Sequence, residues 1–538
     1  MDLQWHLTRL QPGSVVVLQV SATGLVGLRD AAMDLEALGS VLAPHLPPTA
    51  HWVWIFVKGG RTILETAILK TQNAVDSHAP IILATLMVRN FTSSLERERW
   101  DFCQTQEALG SFCAEENPDP VRAEPIPLEY TDVLNDIPII VTGGLRPQYL
   151  YETLRSLLSS PGLRRHNLKI LIGDTSESVL TLLKLMDLKY VLIPVYGELN
   201  SKLFQFYRAT YQHVADEHQA SPAAIFLDED VEVSADFFSL MSQMIPLLAL
   251  DPTLYCATAH AGGWSTQLYG KKDKLKRATS QVLWGYAVTM MFINEALRRW
   301  PTDRSYNVLY DMWLNDNVAV PRECVFPELS RTKHFGAGIN TQGYDLERFF
   351  LPVRLVQEYG VQITNVHEMK IDNWVQLMIQ ELKKATVLEG NPCEPGFFHN
   401  RPNGTYVFYY SLSVDETSSY FIDNYFRIGE CLQFWALSDT GWHDQVTALR
   451  AKPGVDFYLM GVPVSSYRGL MKPGIKPWNI SELSQKEYAT VARQAARYFT
   501  DRHKIIVART NNPTYMRDLF SINDTDFSQF VTNIIYKH

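Results

Sequence analysis

The sequence lacks any run of the roughly 20 apolar residues that a helix needs to cross a bilayer. The best candidates, IILATLMV and VTMMFI, are less than half that length. The first ten residues, MDLQWHLTRL, also lack the apolar core and the small-residue cleavage site of a signal peptide. We therefore expect the chain, as it stands here, to be soluble and to carry no membrane anchor.

Positive charge is also scarce, because 58 acidic residues outnumber 49 lysines and arginines and leave a formal net charge of -9. The clearest basic cluster, KKDKLKR at residues 271–277, is short and is interrupted by an aspartate. A cluster of this kind is more typical of a solvated loop than of a nucleic-acid interface. The composition therefore argues against nucleic acid as a partner.

The six cysteines show no C-x-x-C spacing, which is a common arrangement of zinc ligands. Their even number favours disulfide bonds, and such bonds are typical of an oxidising compartment. We therefore predict a lumenal or secreted protein whose targeting segment lies outside this sequence. Asn-x-Ser/Thr sequons at Asn90, Asn403, Asn479 and Asn523 give that compartment weak support. The predicted pairs are Cys103 with Cys113, Cys256 with Cys324, and Cys393 with Cys431.

The chain is long enough for several domains, and its 46% hydrophobic content supplies material for sizeable cores. Short β-rich runs around a helical stretch predict a small α/β module near the start of the sequence. A polar, Pro-rich segment follows it, and the stretch GNPCEPGFF makes a second break. The predicted divisions are an N-terminal module over 1–115, a linker over 116–135, an α/β domain over 136–386, a C-terminal α+β module over 387–475, and an extension of unknown role over 476–538.

From Ile137 onward, apolar strand patterns alternate with amphipathic helical patterns. IPIIVTGG, LKILIGD and KYVLIPV are typical of strands, and RPQYLYETLRSLLSS and SVLTLLKLMD are typical of the helices between them. This alternation predicts βαβ units and a twisted, mostly parallel sheet. Open α/β sheets bind ligands at the carboxyl ends of their strands, so residues that directly follow a strand are candidate site residues.

Three consecutive carboxylates follow the fourth predicted strand in the stretch AAIFLDEDVEVSADFF. In one interpretation, Asp228, Glu229 and Asp230 form only the solvated loop that leaves a buried strand. In the other, the strand delivers them to the ligand edge of the sheet, where one of them binds a divalent cation. A transferase that uses a nucleotide sugar needs such a cation for the departing diphosphate, and it needs a second, distant acid as general base.

Several motifs occur in order along the chain: LDEDVEVSADFFS, ALRRWP, YDMWL, PELSRTKHFG and NPCEP. Together they closely resemble the β-1,2-N-acetylglucosaminyltransferases of glycosyltransferase family 13, and the O-mannose branch of that family is more similar than the N-glycan branch. The resemblance covers about residues 137–472. FCQTQEALGSFC and HWVWIFVKGG look like the stem region of the O-mannose branch, which implies a carbohydrate-binding N-terminal module.

The resemblance implies a GT-A fold, with a Rossmann-like catalytic domain, and an inverting, metal-dependent transferase. The expected reaction moves N-acetylglucosamine from UDP-GlcNAc to the 2-hydroxyl of a mannose on a glycoprotein, with O-mannose expected over N-glycan acceptors. The expected cofactor is Mn²⁺. The expected location is the Golgi lumen, where the full-length form would be a type II membrane protein.

Carried over residue by residue, the resemblance implies that Asp230 binds Mn²⁺ on the UDP diphosphate and that Asp311, in YDMWL, is the catalytic base. The N-glycan branch has a second acid where this chain has Met312. The alternative is that Asp311 is an idle acid in the first turn of a helix. For Arg331 and the nearby His334, the alternative is loop packing. The implied donor-binding residues are Arg146, Asp174, Phe206, Arg208, Asp228, Glu229, Ser330, Arg331, Ile339 and Asn340.

The chain departs from the family at two positions in the expected uridine site. Phe206 stands where the family has a histidine that contacts uracil, so a hydrogen bond is lost although an aromatic ring can still stack. Gly173 aligns with a donor-site aspartate, and the acid has moved one place to Asp174. A slip of one residue at the end of a strand changes the direction of the side chain.

These departures favour an alternative function, in which the donor site has decayed and the protein is a lectin-like, glycan-binding module. The presence of both Asp230 and Asp311 favours the enzyme instead. A glycoside hydrolase would also use two carboxylates, but it needs no acid-rich loop for a metal ion.

Overall fold

The computed structural model divides the chain into two compact units, Met1–Pro120 and Val121–His538. The apolar run IILATLMV, most of the predicted linker and nearly all of the predicted C-terminal extension lie outside the described residues. The predicted domain divisions remain predictions. The residues that the structure describes are 10, 13–20, 28, 31–46, 50–60, 62–69, 93–106, 109–113, 131–174, 176–261, 269–279, 284–303, 306–336, 350, 353–394, 396–398, 401–413, 423–432, 434 and 441–479.

The N-terminal unit is built on an antiparallel sheet with short helices. Its described elements are β1 Val15–Val20, α1 Ala32–Ala37, β2 Ala50–Val57, β3 Thr62–Leu69, α2 Ser94–Cys103 and α3 Gly110–Cys113. The strand order is β1–β2–β3. Trp52 and Trp54 are two residues apart on β2, so both side chains lie on the face toward the core, where they are fully buried. The Trp52 indole donates to Glu65, whose carboxylate also accepts from the backbone N–H groups of Val41 and Leu42. These tryptophans are therefore core residues of the unit.

The second unit contains an eight-stranded mixed sheet. Its strands are β4 Ile139–Gly143, β5 Leu168–Ile172, β6 Tyr190–Leu192, β7 Ala223–Asp228, β9 Leu254–Thr258, β10 Leu275–Ala278, β11 Tyr286–Thr289 and β12 Glu323–Pro327. Their spatial order is β10–β12–β9–β11–β7–β4–β5–β6. The four strands β6, β5, β4 and β7 are parallel, whereas β11 is antiparallel to both of its neighbours, β7 and β9. This topology confirms the predicted α/β class, and the parallel half is the part predicted by the alternating pattern.

Helices and a small ribbon surround this sheet. They are α4 Pro147–Leu158, α5 Glu177–Leu185, α6 Leu199–Glu217, α7 Phe237–Leu250, α8 Met290–Arg299 and α9 Tyr310–Leu314, with β8 Val231–Val233 paired antiparallel to β13 Thr332–His334. The buried face of α4 carries Leu150, Leu154, Leu157 and Leu158, at the spacing of an amphipathic helix. Because β8 directly follows the carboxylates and pairs with β13, the ribbon brings the PELSRTKHFG loop to the acidic stretch.

A second sheet forms the C-terminal part of this unit. Its elements are α10 Ile371–Lys384, β14 Thr386–Val387, β15 Gly404–Leu412, α11 Asp423–Leu432, β16 Trp442–His443, β17 Val446–Lys452 and β18 Val455–Pro463. The strand order is β14–β15–β18–β17–β16. Its core is strongly aromatic and includes Phe408, Tyr410, Tyr425, Phe457 and Trp442. The stretches TYVFYYSLSV and FYLMGVPVSS contain most of β15 and most of β18 of this sheet.

Buried charges join the C-terminal sheet to the central sheet. Arg277, on β10, is fully buried and donates to Asp251 and to Glu323, each at 2.7 Å. The other oxygen of Glu323 lies 2.7 Å from Nδ1 of His443, on β16. Burial acts to raise the pKa of Glu323, but His443 and Arg277 outweigh it and lower the pKa to about 2. The carboxylate is therefore ionised in this buried junction.

Backbone hydrogen bonds reinforce the same junction. The N–H of Thr279, just beyond β10, donates to the carbonyl of Trp442 at 2.8 Å, and the N–H of Gly441 donates back to Thr279 at 2.7 Å. Close by, Arg450 of β17 pairs with Glu328 at 3.3 Å. Since β10 is the last strand at its end of the central sheet, the C-terminal sheet covers a strand that would otherwise be an open edge.

The three disulfide bonds form as the sequence predicts. Cys103 pairs with Cys113, and Cys393 pairs with Cys431. Cys256 pairs with Cys324 across the neighbouring parallel strands β9 and β12, with their Cα atoms 4.6 Å apart. Within the described residues, no helix is both long enough and apolar enough to span a membrane.

Candidate active site

The acidic stretch lies at the carboxyl end of β7, beside the end of β4. Asp228 is the last residue of β7, and Glu229 and Asp230 form the turn into β8. The buried hydroxyl of Thr153, on α4, donates to the carbonyl of Glu229 at 2.6 Å and accepts from the N–H of Val231 at 3.0 Å. The turn is therefore fixed against α4 by its backbone, which rules out a merely solvated exit loop.

Asp228 is held by a tyrosine and a threonine. The hydroxyl of Tyr207, on α6, donates to Oδ1 of Asp228, and Thr142 Oγ1 lies 3.3 Å from the same oxygen. Burial raises the pKa of Asp228 to about 6, with a further contribution from the neighbouring charge of Asp230, and the Tyr207 bond acts in the opposite direction. Burial therefore dominates the electrostatics of Asp228.

Glu229 points back toward the β4–α4 turn. Its Oε2 accepts from the backbone N–H of Gly144 at 2.7 Å, and its Oε1 accepts from Nε of Arg146 at 2.6 Å. Burial raises the pKa of Glu229, although Arg146 opposes this effect. The side chain therefore orders the turn that carries Arg146.

Asp230 is the carboxylate of the three that contacts both Arg146 and His334. Its Oδ2 accepts from Nη2 of Arg146 at 2.8 Å and lies 3.5 Å from Nε2 of His334. Burial acts to raise the pKa of Asp230, but His334 and Arg146 hold it below its ordinary value. A Cβ at Gly336 would collide with this carboxylate, so the chain passes directly over it. Asp230 is thus ionised and enclosed by two basic side chains.

Arg146 precedes α4 and reaches both acids from one position. Pro147 begins the helix, and the guanidinium of Arg146 lies 4.5 Å from the centre of the Tyr149 ring. Its side chain is 34% exposed, whereas those of Glu229 and Asp230 are 11% and 10% exposed. The guanidinium of Arg146 is therefore more accessible to solvent than the two carboxylates that it binds.

A cluster of aromatic side chains packs against His334. The ring of Trp284 stacks on His334 with centroids 4.7 Å apart, and it meets His260 and Phe350 edge-on at 4.7 and 4.6 Å. Trp284 has a left-handed backbone, with φ of 49°, which is rare for a bulky residue and is concentrated at functional sites. Sequence reasoning did not identify Trp284 or His260, and its only available signal was the dipeptide Trp-Gly after an apolar run.

Two ring nitrogens in this group are unsatisfied. Nδ1 of His334 and Nε2 of His260 are buried and have no hydrogen-bond partner among the described residues. Burial lowers the pKa of His260 to about 3, so this imidazole is neutral. Buried polar atoms without partners are uncommon and call for an explanation, such as a ligand or an ordered water.

Asp311 lies in the first turn of the short helix α9 and is buried, with 7% of its surface exposed. The residue before it, Tyr310, stacks on Tyr207 with ring centroids 3.5 Å apart and planes 8° apart. Tyr207 in turn donates to Asp228. A direct chain of packed side chains thus connects α9 to the acidic stretch at β7.

The residues of the expected uridine site lie near the end of β5. The ring of Phe206 packs across Gly173, where a Cβ would lie 3.0 Å from two ring carbons. Phe206 is 7% exposed, and Asp174 forms an ion pair with Lys202 of α6. Nε of Arg208 is buried without a hydrogen-bond partner in the described part of the chain. Phe206 therefore fills space beside the strand instead of leaving an open pocket there.

Ser330 and Arg331 have a packing role in this structure. Ser330 donates to the carbonyl of Thr332 at 2.7 Å and accepts from the N–H of Ala261 at 3.0 Å. Arg331 is fully buried, and its guanidinium binds Asp236 at 2.8 and 2.9 Å and two main-chain carbonyls. This is the loop-packing alternative considered for Arg331, and the structure does not bring its side chain to the carboxylates. Ile339 and Asn340 lie outside the described residues.

Among the residues that the structure describes, no group of three or more His, Cys, Asp or Glu side chains is arranged to hold a metal ion. Asp230 nevertheless offers an ionised carboxylate, and Nε2 of His334 lies 3.5 Å from its Oδ2. Hard divalent cations often take only one or two protein ligands and complete their shell with phosphate oxygens and water. The donor set therefore fits a cation that arrives together with a diphosphate.

A family model described as GNT-I matches residues 104–394, which is more than half of the 538-residue chain. The chain belongs to the GNT-I family. The predicted resemblance to glycosyltransferase family 13 is thereby confirmed. The match includes the acidic stretch, Arg146, His334 and Asp311.

A curated relative is the alpha-1,3-mannosyl-glycoprotein 2-beta-N-acetylglucosaminyltransferase of Arabidopsis thaliana. It is 23% identical over 231 residues, which are 40% of this chain and 51% of that protein. The chain thus spans about half the length of this relative of the GNT-I family.

Two solved structures show weak likeness to the chain. GalNAc-T7 with UDP, GalNAc and Mn2+ gives 15% identity and a TM-score of 0.28, covering 39% of this chain and 46% of that one. A cytidylyltransferase from Leptospira borgpetersenii gives 12% identity and a TM-score of 0.22, covering 34% and 71%. At TM-scores this low, neither likeness supports an argument about function.

Proposed function

We propose that the protein is an inverting glycosyltransferase of GT-A type that moves N-acetylglucosamine from UDP-GlcNAc to the 2-hydroxyl of a mannose. The observation that carries this proposal is the buried carboxylate cluster at the end of β7, where Arg146 and His334 face Asp230. Membership of the GNT-I family supports the same activity. A structural turn does not require two adjacent buried carboxylates that share one arginine, so the arrangement is best explained by ligand binding.

Asp230, with His334 beside it, is the residue that would hold the divalent cation, and Mn²⁺ is the expected ion. When bound, such a cation supplies Lewis-acid stabilisation of the negative charge on the leaving diphosphate. The side chains of the cluster orient the diphosphate of the donor. Glu229 fixes the β4–α4 turn through the N–H of Gly144, and Arg146 presents a guanidinium whose planar fork suits phosphate oxygens.

Asp311 is the proposed general base. It accepts the proton of the mannose 2-hydroxyl while the hydroxyl oxygen forms a bond to the anomeric carbon of the donor. The bond from that carbon to the diphosphate oxygen breaks at the same time, and its electron pair leaves with UDP. This single displacement inverts the configuration. The stack of Tyr310 on Tyr207, which holds Asp228, supports a fixed placement of α9 relative to the donor end of the site.

The acceptor, compartment and N-terminal unit complete the proposal. An O-mannosyl glycoprotein is the proposed acceptor, and the Golgi lumen is the proposed location, which the three disulfide bonds support. The N-terminal unit is proposed to be a glycan-binding stem. Because Trp52 and Trp54 are buried, their rings do not provide its sugar-binding surface.

A second candidate function is a glycan-binding protein with a decayed donor site. The packing of the Phe206 ring across Gly173 favours it, because this ring occupies space beside the strand that precedes the proposed uridine site. The intact cluster around Asp230 opposes it.

The deciding experiment is incubation with Mn²⁺ and a panel of UDP-sugars, with and without a mannosyl acceptor, and measurement of UDP release. We expect release from UDP-GlcNAc that depends on the acceptor. Asp230→Asn should abolish it, whereas Asp216→Asn, an equivalent change at an exposed aspartate of α6, should leave it unchanged. Glycan binding without turnover of any UDP-sugar would support the second candidate and overturn the first.

A further inference from the structure

The guanidinium of Arg146 occupies the position where the proposed site needs a positive charge. Nε and Nη2 of Arg146 bind different carboxylates, Glu229 at 2.6 Å and Asp230 at 2.8 Å. The oxygen that Nη2 binds, Oδ2 of Asp230, is also the one that faces His334. Arg146 therefore neutralises the residue that is proposed to hold a divalent cation.

A bound divalent cation and this arginine contact are incompatible. Two like charges a few ångströms apart in a largely buried site repel each other strongly, because little water lies between them to screen the interaction. Arg146 must therefore leave Asp230 before a cation can bind there. The free metal alone gives Nη2 of Arg146 no replacement for Asp230, so the exchange would remove one contact of the arginine to a carboxylate without supplying another.

A nucleotide diphosphate changes this balance. Its phosphate oxygens are strong acceptors for a guanidinium, and Arg146 can turn to them while a cation takes its place on Asp230. The geometry allows the movement. The Arg146 side chain is one-third exposed at the start of α4, whereas the side chains of Glu229 and Asp230 are largely buried. Glu229 retains the N–H of Gly144 when the arginine departs, so its carboxylate keeps a hydrogen bond.

We infer that Arg146 is a built-in counter-cation, which blocks the acidic site against free divalent metal and moves onto the donor diphosphate when metal and nucleotide bind together. This inference rests on the proposed function for the nature of the donor. It makes binding of the metal and of the nucleotide mutually dependent. Since coupling between two ligands is reciprocal, each should raise the affinity for the other by the same factor.

The test measures Mn²⁺ binding by the electron paramagnetic resonance signal of the free ion, and UDP binding by calorimetry, on the intact chain. For Arg146→Gln we expect opposite changes: an affinity for Mn²⁺ alone that rises about tenfold, and an affinity for UDP with Mn²⁺ that falls about tenfold. Arg155→Gln is the matched control, because Arg155 is an exposed arginine that lies on the helix that follows Arg146 and pairs with half-buried Glu152. It should change neither affinity.

Arg146→Lys provides the second variant if the glutamine variant folds poorly, as judged by its thermal midpoint. Lysine keeps the charge but loses the planar fork, so free Mn²⁺ should stay excluded while UDP binding weakens. If removal of the charge weakens UDP binding and leaves the affinity for Mn²⁺ alone unchanged or lower, the counter-cation role is overturned. If no UDP binds to the wild type but the glutamine variant gains Mn²⁺ affinity, the counter-cation role stands and the proposed donor is wrong.

Discussion

The hydroxyl of Tyr207 provides the sharpest test of the electrostatics of the site. In Tyr207→Phe the stack on Tyr310 is retained, since the ring is unchanged, and the bonds of the hydroxyl to Asp228 and Thr142 are lost. Thr142 keeps the carbonyl of Leu227 as a partner at 3.2 Å. The substitution therefore removes one hydrogen bond to a carboxylate with little change in packing.

The expected loss follows from the charge of the acceptor. A buried hydrogen bond to a charged group is worth about 1.5–3 kcal/mol, compared with about 0.5–1.5 kcal/mol for a neutral pair. The pKa of Asp228 is raised to about 6, so the carboxylate is mostly ionised at pH 8 and mostly protonated at pH 5. We expect the larger loss at pH 8 and a smaller one at pH 5, where the acceptor is neutral.

The sign of the pH dependence can be derived by linkage. Because the folded pKa of Asp228 lies above its ordinary value of 3.8, this group favours folding at low pH, and the advantage is lost as pH rises through about 6. Removal of the Tyr207 hydroxyl raises the folded pKa further, because that bond acts to lower it. The variant should therefore lose more stability than the wild type over the same rise in pH.

The assay is the difference in thermal midpoint between variant and wild type at several pH values from 5 to 8. Tyr211→Phe is the matched control, because Tyr211 is buried on the same helix and its hydroxyl lies 3.2 Å from the neutral hydroxyl of Tyr286. Its effect should not change with pH over this range. Equal losses for Tyr207→Phe at pH 5 and pH 8 would refute an ionised Asp228 held by this bond.

Other predictions concern the base, a disulfide bond and the buried charges. Asp311→Asn should leave UDP binding nearly intact and lower kcat by a factor on the order of 10² to 10⁴, as measured by steady-state kinetics; an unchanged rate would exclude Asp311 as the base. Replacing Cys256 and Cys324 by serine opens a loop of 68 residues and should lower the free energy of unfolding by about 4 kcal/mol, measured by urea denaturation, and a loss below about 1 kcal/mol would contradict this. Glu323→Gln leaves Arg277 short of a buried partner and should destabilise the protein by about 3–5 kcal/mol in the same assay, whereas an unchanged midpoint would show that the pair is dispensable.

The strand that ends at Asp228 and the helix α4 are well predicted, because the sequence pattern of each is local. The apolar run before Asp228 and the periodicity of α4 depend only on neighbours along the chain, and both strand and helix form where expected. The disulfide pairs were likewise predicted, since pairing each cysteine with the next one along the chain gives the three observed bonds.

The partners of the charged residues were not predictable, because they depend on elements far apart in sequence. Arg146 and Asp230 are 84 residues apart and meet only because β4 and β7 are neighbours. Motif matching also gives no direction for a side chain, and Arg331, which was predicted to bind the donor, turns inward to Asp236 instead. The left-handed backbone of Trp284 is energetically unfavourable for a bulky residue, so local propensity does not predict it. Tertiary packing maintains it.

The junction between the central and C-terminal sheets bears on how the catalytic part could be isolated as a recombinant fragment. A fragment that ended near residue 386 would lose His443 and Arg450, and with them one partner each of Glu323 and Glu328. It would also uncover the backbone of β10, and an exposed edge strand is a template for aggregation. Soluble expression should therefore require the chain to continue through β18, and exchange of C-terminal modules between relatives should succeed only when both halves of this junction are transferred together.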